Sequence, residues 1–339
     1  MVDGPTVFAV FESRNTWERE NPQLAKCGYG RFLEDDESIA SIVEEIRQAG
    51  IPVKALPYSR TEFGSLLEEL RRTPRSILWN LTDGYEFYVG ANLPAFVQLA
   101  GLPHIGSGSY TQMLCQNKHH LKAVAQSLGI PCATGVSFNV DSKKPFIIPK
   151  EILPPYFVKP TRLDNGIGDQ LASPICRDTL TALAAVEQLM HAGIKDVLIE
   201  EYLQGDEFTV VAANGGSWVI ECAHITYGSA EYFSSTLKDT DNSCTEFVSG
   251  PREQVMIAQS VYLSLAIKLQ DYFRADFRCD SAGQPKLLEV NSGPFLVGHS
   301  FDELARRHFG TRPEMFKAII MQSYGRQQVP VKENSAEVH

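Results

Sequence analysis

Residues 274–291, RADFRCDSAGQPKLLEVN, carry an arginine, two carboxylates and an amide in a segment with the pattern of a β-hairpin. Strand side chains alternate between two faces, and a turn centred in DSAGQP pairs Asp276 with Glu289 and Arg274 with Asn291. All four polar side chains then share one face. Directly opposed carboxylates repel each other, and a divalent cation between them would reverse the sign of that interaction. Carboxylate and amide oxygens are the ligands that suit Mg²⁺.

The opposite face of the hairpin carries Ala275, Phe277, Leu288 and Val290, which is the composition of a core-facing sheet surface. The segment therefore separates an apolar side from a side that could do chemistry. A simpler interpretation stays open, in which Arg274 neutralises its neighbour in an ordinary salt-bridged hairpin.

Two lysines stand where phosphate ligands are expected. Lys159 ends the apolar run YFV and is followed by a loop, residues 161–168, that contains two glycines. Such a loop can lay backbone N–H groups against phosphate oxygens. Lys118 lies at the start of a predicted helix. A surface turn and a solvated lysine are the alternative interpretations.

The stretch VLIEEYLQGDEF, residues 197–208, reads as a buried strand with an acidic end. That edge offers Glu200 and backbone groups to an adenine amine, and places Glu207 within reach of ribose hydroxyls. An acidic strand end in solvent is the alternative.

Upstream elements have to position these groups. In the first 90 residues, apolar runs alternate with amphipathic stretches such as DESIASIVEEIRQAG, which places Ile39, Ile42, Val43 and Ile46 on one helical face. This β-α-β-α-β order predicts a parallel sheet with crossover helices.

Composition limits the class of protein. The chain has 339 residues, 43% of them hydrophobic and 21% charged, as in a globular protein. Its net charge of −10 argues against nucleic acid or an anionic membrane as the main partner. The sequence contains no run of about 18 apolar residues, so no membrane span is predicted. The N-terminus reads as a first strand rather than a signal peptide. Seven irregularly spaced cysteines predict reduced thiols in a cytoplasmic protein.

Together these segments resemble the ATP-grasp superfamily and, within it, the D-alanine–D-alanine ligases. The resemblance runs from the first strand to about Ser300. It is carried by four segments in the family's order, which are residues 80–118, YFVKP with its loop, residues 197–210 and residues 273–294.

The resemblance implies an α/β and α+β chain, in which an ATP-grasp fold follows an N-terminal parallel α/β domain. Residues 1–110 would form that pre-ATP-grasp domain. Residues 111–210 would form the central subdomain with the phosphate loop and adenine strand, and residues 211–325 the C-terminal subdomain with the magnesium site. ATP would lie between the two ATP-grasp subdomains.

The resemblance also implies roles for individual residues. The implied ATP ligands are Lys118, Lys159, Glu200, Glu201, Tyr202, Leu203 and Glu207. The implied ligands of two Mg²⁺ ions, which Mn²⁺ can replace, are Asp276, Glu289 and Asn291. The implied catalytic residues are Arg274, Lys159, Asn165 and Ser300. The implied substrate-binding residues are Glu18, Tyr232, Lys238, Phe295 and His299.

On the substrate side the chain departs from the family. Either Glu18 or Glu20 takes the place of an amine-binding glutamate, and Asn165 stands where the family has a serine. The lysine–tyrosine pair of the family's mobile loop becomes Glu231-Tyr232, with Lys238 as the nearest substitute lysine. A family glycine becomes Phe295.

The pattern therefore matches on the ATP side and differs on the substrate side. We expect an ATP-dependent carboxylate–amine ligase that forms an acylphosphate, releases ADP and phosphate, and joins a small amino acid to a substrate other than D-alanine. Dipeptide ligases and the ligases of mycosporine-like amino acid synthesis are of this kind. The alternatives are a D-alanine–D-alanine ligase of peptidoglycan synthesis and, from another class, an ATP-binding regulatory protein. Expected partners are ATP and the two small substrates, without nucleic acid or membrane, in a homodimer.

Overall fold

The computed structural model describes the chain in parts: residues 4–20, 22, 25, 36–58, 63–82, 89–142, 146–162, 167–234, 237 and 243–328. Within these parts no helix is both long and apolar enough to cross a bilayer. Six cysteines fall in them, and all six are free thiols, as predicted. The seventh, Cys27, lies outside the described residues.

The predicted parallel sheet opens the chain. Its strand order is β2-β1-β3-β4, and its strands are β1 (Thr6–Phe11), β2 (Val53–Pro57), β3 (Ser76–Asn80) and β4 (His104–Ile105). Its helices are α1 (Arg14–Glu20), α2 (Asp36–Gln48), α3 (Phe63–Arg72) and α4 (Val89–Leu99). The apolar face predicted for α2 is buried. Sequence reasoning missed β4, whose two residues are too few to form a pattern.

An antiparallel sheet of order β5-β8-β6-β7 follows. Its strands are β5 (Gly135–Asn139), β6 (Tyr156–Pro160), β7 (Ile175–Cys176) and β8 (Asp196–Glu201). The neighbouring helices are α5 (Ser109–Gln116), α6 (Lys118–Ser127) and α7 (Thr179–His191). Asn117 caps α6, because its side-chain oxygen accepts the N–H of His120 at 2.9 Å. The N–H of Lys118 donates to the carbonyl of Thr161 at 3.0 Å, which ties the start of α6 to the end of β6.

A second antiparallel sheet has the order β11-β10-β9-β12-β13. Its strands are β9 (Glu207–Asn214), β10 (Trp218–Thr226), β11 (Cys244–Phe247), β12 (Tyr272–Cys279) and β13 (Pro285–Asn291). The helices of this part are α8 (Pro251–Ile267), α9 (His299–His308) and α10 (Arg312–Gln328). One face of the sheet packs on α6 and α8. The other face packs on α9 and α10 and, further along, opens to a cavity. The division of the chain at residues 110 and 210 stays a prediction.

The hairpin of β12 and β13 has the predicted register at its functional end. Asp276 pairs with Glu289, and Arg274 pairs with Asn291. Beyond Asp276 the register shifts, so that Phe277 pairs with Leu287. A bulge at Leu288 therefore interrupts the ladder. The predicted core position of Leu288 is wrong: Leu287 is fully buried instead, while Leu288 lines the cavity.

Candidate active site

A cavity of about 330 Å³ lies between β6 on one side and β9, β10, β12 and β13 on the other. We call it the central cavity. Its lining includes many of the predicted site residues: Lys118, Lys159, Glu207, Tyr232, Arg274, Asp276, Glu289, Phe295 and Ser300. These residues come from distant parts of the chain, and the fold brings them together around one cavity. The apolar side chains of Phe157, Ile225 and Leu288 complete walls on which a planar base could pack.

Two lysines hold Glu200 from opposite sides. Lys159 Nζ lies 2.6 Å from Glu200 Oε1, and Lys122 Nζ contacts Glu200 Oε2. Glu200 is 1% exposed and Lys122 is 3% exposed, so the cluster is closed to solvent except at Lys159. Burial opposes the charged form of Glu200, but the two lysines outweigh it and lower the pKa of its carboxyl. The carboxylate thus stays ionised and fixes Lys159 at the edge of the cavity.

The structure therefore gives Glu200 a function that sequence reasoning did not assign. Both carboxylate oxygens contact lysines, and Glu200 is not among the described residues that line the central cavity. Its predicted contact with adenine stays a prediction. Lys122 was missed altogether, because KHHLK reads as a solvated helix start until β8 packs against it.

The predicted adenine edge is partly committed to the protein. The N–H of Glu201 donates to the carbonyl of Thr134, and the N–H of Tyr202 donates to the carbonyl of Pro155, each at 2.9 Å. Two N–H groups of the predicted edge are therefore used within the protein, and the contact of this edge, Leu203 included, with adenine stays a prediction. The Glu201 side chain points elsewhere and accepts from Lys286 Nζ at 2.8 Å.

The carboxylates of the hairpin each have a cation beside them. Lys118 Nζ lies 3.4 Å from Glu289 Oε2, and Arg274 Nε lies 3.1 Å from both oxygens of Asp276. Thr209 also donates to Asp276, at 2.7 Å. The simpler interpretation from the sequence, a salt bridge between Arg274 and Asp276, is therefore present in the structure. Arg274 and Lys118 balance the repulsion between the opposed carboxylates. Their presence does not exclude a metal ion at the same carboxylates.

The hairpin residues fit Mg²⁺ as a donor set. Asp276 and Glu289 are cross-strand partners on the face that opens to the cavity, and Asn291 stands two residues beyond Glu289. Within the described ranges, no group of three or more His, Cys, Asp or Glu side chains could hold a metal ion. The amide oxygen of Asn291 accepts the N–H of Gly293 at 3.1 Å, so its part as a third protein ligand stays a prediction. Hard oxygen ligands of this kind, few in number, suit Mg²⁺ that keeps water and phosphate ligands.

Three further predicted residues, Phe295, Ser300 and Tyr232, also line the central cavity. Phe295 lines it and also packs against Ala9, Ile39 and Val43 of the N-terminal sheet domain. Ser300 lies in the first turn of α9, whose N-terminus favours negative charge. Tyr232 lines the cavity beside Phe157. Burial, with Asp169 as a further cause, raises the pKa of Tyr232 to about 12, so that its hydroxyl stays protonated at neutral pH.

Other predicted substrate residues are placed elsewhere or not at all. Glu18 is exposed on α1 and is not among the described lining residues. Asn165, Lys238 and the side chains of Glu20 and His299 lie outside what the structure describes. The roles assigned to all of these residues stay predictions.

Glu231 forms an ion pair outside the described lining of the central cavity. Its carboxylate accepts from Arg177 at 3.0 Å, and both side chains are mostly exposed. Glu231 is not among the described residues that line the central cavity, and the role implied for the Glu231-Tyr232 pair stays a prediction.

Arg278 is a second residue that sequence reasoning missed. It follows Arg274 and Asp276 at strand spacing, so the same alternation places it on the functional face. It is 7% exposed and lies 3.7 Å from Glu207, the predicted ribose ligand.

Comparisons with known proteins identify the family and the fold of the chain. Residues 124–321, more than half of the chain, match the family model described as the D-ala D-ala ligase C-terminus. A protein of Sinorhizobium fredii (strain NBRC 101917 / NGR234), named uncharacterized protein y4sG, is 27% identical over 294 residues, 83% of this chain and 79% of that protein.

Solved structures share the fold. D-alanine–D-alanine ligase from Bacillus anthracis complexed with ATP matches with a TM-score of 0.71 at 16% identity, over 95% of this chain and 98% of that one. The enzyme from Coxiella burnetii matches with a TM-score of 0.67 at 12% identity, over 96% of each chain. The predicted ATP-grasp fold with an N-terminal parallel α/β domain is thereby confirmed. The chain belongs to the family of the D-ala D-ala ligase C-terminus, within the ATP-grasp superfamily, and is an ATP-dependent ligase that forms C–N bonds.

Proposed function

We propose that the protein joins a small amino acid, through its amine, to a carboxylate donor other than D-alanine. The donor carboxylate attacks the γ-phosphate of ATP to give an acylphosphate and ADP. The amine then attacks the acyl carbon, displaces phosphate and leaves an amide bond, with loss of one proton from the amine. Synthesis of a secondary metabolite, such as a dipeptide or a mycosporine-like amino acid, is the setting that this chemistry suggests.

Phe295 is the observation that carries the proposal. The resemblance puts a glycine at this position in D-alanine–D-alanine ligases, whereas here an aromatic ring lines the cavity and packs on the N-terminal domain. A ring changes the space available to the donor and the backbone N–H that can reach the intermediate. Loss of one such donor costs about 10²–10³ in rate in other enzymes, unless the site is built around another substrate.

The residues of the cavity supply the ATP chemistry by position and charge. Lys118 and Lys159 would contact the phosphates, with Lys159 held in place by Glu200. Arg274 would contact the transferred phosphoryl group, to which a fixed guanidinium is suited. Asp276, Glu289 and Asn291 would hold Mg²⁺, which neutralises charge on the phosphates when it is bound. We infer two such ions, with Mn²⁺ as a substitute.

Trapping with hydroxylamine tests the proposal and identifies the donor. Hydroxylamine replaces the amine acceptor, so a carboxylate that forms an acylphosphate gives a hydroxamate and one equivalent of ADP. We expect hydroxamate from a donor larger than D-alanine and little from D-alanine. The alternative, a D-alanine–D-alanine ligase, predicts D-alanine as the best donor. The Glu289→Ala variant supplies the background rate.

We also propose a homodimer that forms through the N-terminal domain, on the basis of the family likeness alone. Light scattering of the purified protein at micromolar concentration tests this directly. A mass of one chain would contradict it.

A further inference from the structure

Arg278 lies where three segments of the active site meet. Its Nε donates to the carbonyl of Gly205 at 3.2 Å, and one terminal nitrogen donates to the Tyr202 hydroxyl at 3.2 Å and to the carbonyl of Glu231 at 2.5 Å. The other terminal nitrogen lies 3.7 Å from Glu207 Oε2. The guanidinium thus connects the predicted adenine edge, the predicted ribose ligand and the segment at Glu231.

The contacts of Arg278 on that segment are reinforced by tyrosines. The Tyr202 hydroxyl also donates to the carbonyl of Glu231. The Tyr227 hydroxyl donates to Glu207 Oε2 at 3.1 Å. Residues 227–232, between these two contacts, include Tyr232 on the wall of the central cavity. The same arginine therefore faces a nucleotide ligand on one side and a wall of the cavity on the other.

A buried guanidinium needs partners, because an unpaired charge away from water is costly. Arg278 has four, and only Glu207 among them is charged. A planar fork with five N–H donors can serve such a set, and an ammonium cannot. The side chain is therefore suited to fix geometry rather than only to supply charge.

We propose that Arg278 is a positioning residue for the nucleotide: it orients Glu207 toward the ribose hydroxyls and fixes residues 227–232 beside the cavity through the main chain of Glu231. This inference rests on the proposed binding of ATP in the central cavity. Arg177 differs from Arg278, because its contact with Glu231 is an ion pair between exposed side chains and that of Arg278 is a bond to the main chain.

The test compares the binding of ATP and of 2′-deoxy-ATP, each with Mg²⁺, by titration calorimetry without the other substrates. We expect the wild type to prefer ATP by about tenfold or more, since a lost hydrogen bond to a charged group has about that effect. Arg278→Gln should weaken ATP and bring the preference close to one. Arg278→Lys should give an intermediate preference, because it keeps the charge but loses the fork. Arg177→Gln, the matched control, should bind like the wild type.

A double-mutant cycle separates positioning from a general structural effect. Glu207→Gln should itself remove the preference for ATP, and adding Arg278→Lys should then remove nothing further, because both changes act through one carboxylate. The inference would be overturned if Arg278→Lys and Arg278→Gln both kept the preference for ATP over 2′-deoxy-ATP and the melting temperature of the wild type. A wild type without this preference would also overturn it. If the wild type binds no ATP at all, the proposed function fails together with the inference. If it binds ATP but shows no effect of Arg278, only the inference fails.

Discussion

Replacement of Glu200 by glutamine is the perturbation whose effect follows most directly from the structure. The carboxylate is 1% exposed and contacts two ammonium groups, of which Lys122 is also buried. Glu200→Gln keeps the shape and removes the charge. It leaves Lys159 and the buried Lys122 close together with only a neutral amide between them, where burial already lowers the pKa of Lys122.

The magnitude follows from the cost of an uncompensated buried charge. Breaking a buried ion pair by removing one partner costs about 3–5 kcal/mol. An unfolding entropy of about 2.1 cal/mol/K per residue gives roughly 0.7 kcal/mol/K for a chain of 339 residues. Dividing the first quantity by the second predicts a fall in Tm of about 4–7 °C. Lys159 also loses its anchor, so the KM for ATP should rise.

Differential scanning calorimetry and steady-state kinetics measure these two effects. The matched control is Glu68→Gln, since Glu68 forms an exposed pair with Arg72 on α3 and its loss should shift Tm by less than about 1 °C. Lys122→Met should fall between the two, because it leaves the 2.6 Å pair of Glu200 and Lys159. A Glu200→Gln variant with the Tm and the KM of the wild type would refute the stabilising and positioning role of Glu200 between the two lysines.

Three further predictions concern the metal ligands, pH and the substrate end. Glu289→Ala should lower turnover by more than about tenfold, roughly 1.4 kcal/mol of barrier, with a smaller effect on ATP affinity; turnover within tenfold would remove the metal assignment. The lowered pKa of Glu200 means that its contribution to stability is complete above the ordinary carboxyl pKa of about 4.3 and is lost as pH falls through its folded value. The difference in Tm between wild type and Glu200→Gln should therefore shrink below about pH 4, and a constant difference from pH 7 to pH 3 would contradict this. Phe295→Gly should change the order of preference among carboxylate donors in the hydroxylamine assay, and an unchanged order would place the donor away from this ring.

The functional register of the hairpin could be predicted from the sequence because it depends on local rules. Strand alternation and the position of the turn suffice to pair Asp276 with Glu289. The same rule would have identified Arg278, which continues the alternation. The N-terminal sheet was predictable for the same reason, since periodicity separates its strands from its helices.

Other features depend on contacts between distant segments, which no local pattern contains. The bulge at Leu288 arises where Leu287 donates its N–H to Pro131, on the outer edge of β13. Lys122 is buried only because β8 brings Glu200 against α6. The Glu231 side chain pairs with Arg177, which lies just after β7 and far from Glu231 in the chain.

Phosphate release shows whether the donor differs from D-alanine. It is measured with D-alanine as the only substrate and with a panel of carboxylate and amine pairs. We expect ATP turnover to require a pair of substrates, and at least one pair that contains a larger donor should clearly exceed D-alanine alone. Mass spectrometry of the reaction should then identify a conjugate of that donor with a small amino acid. Robust turnover with D-alanine alone, at a rate that no other pair exceeds, would contradict the account and assign the protein as a D-alanine–D-alanine ligase.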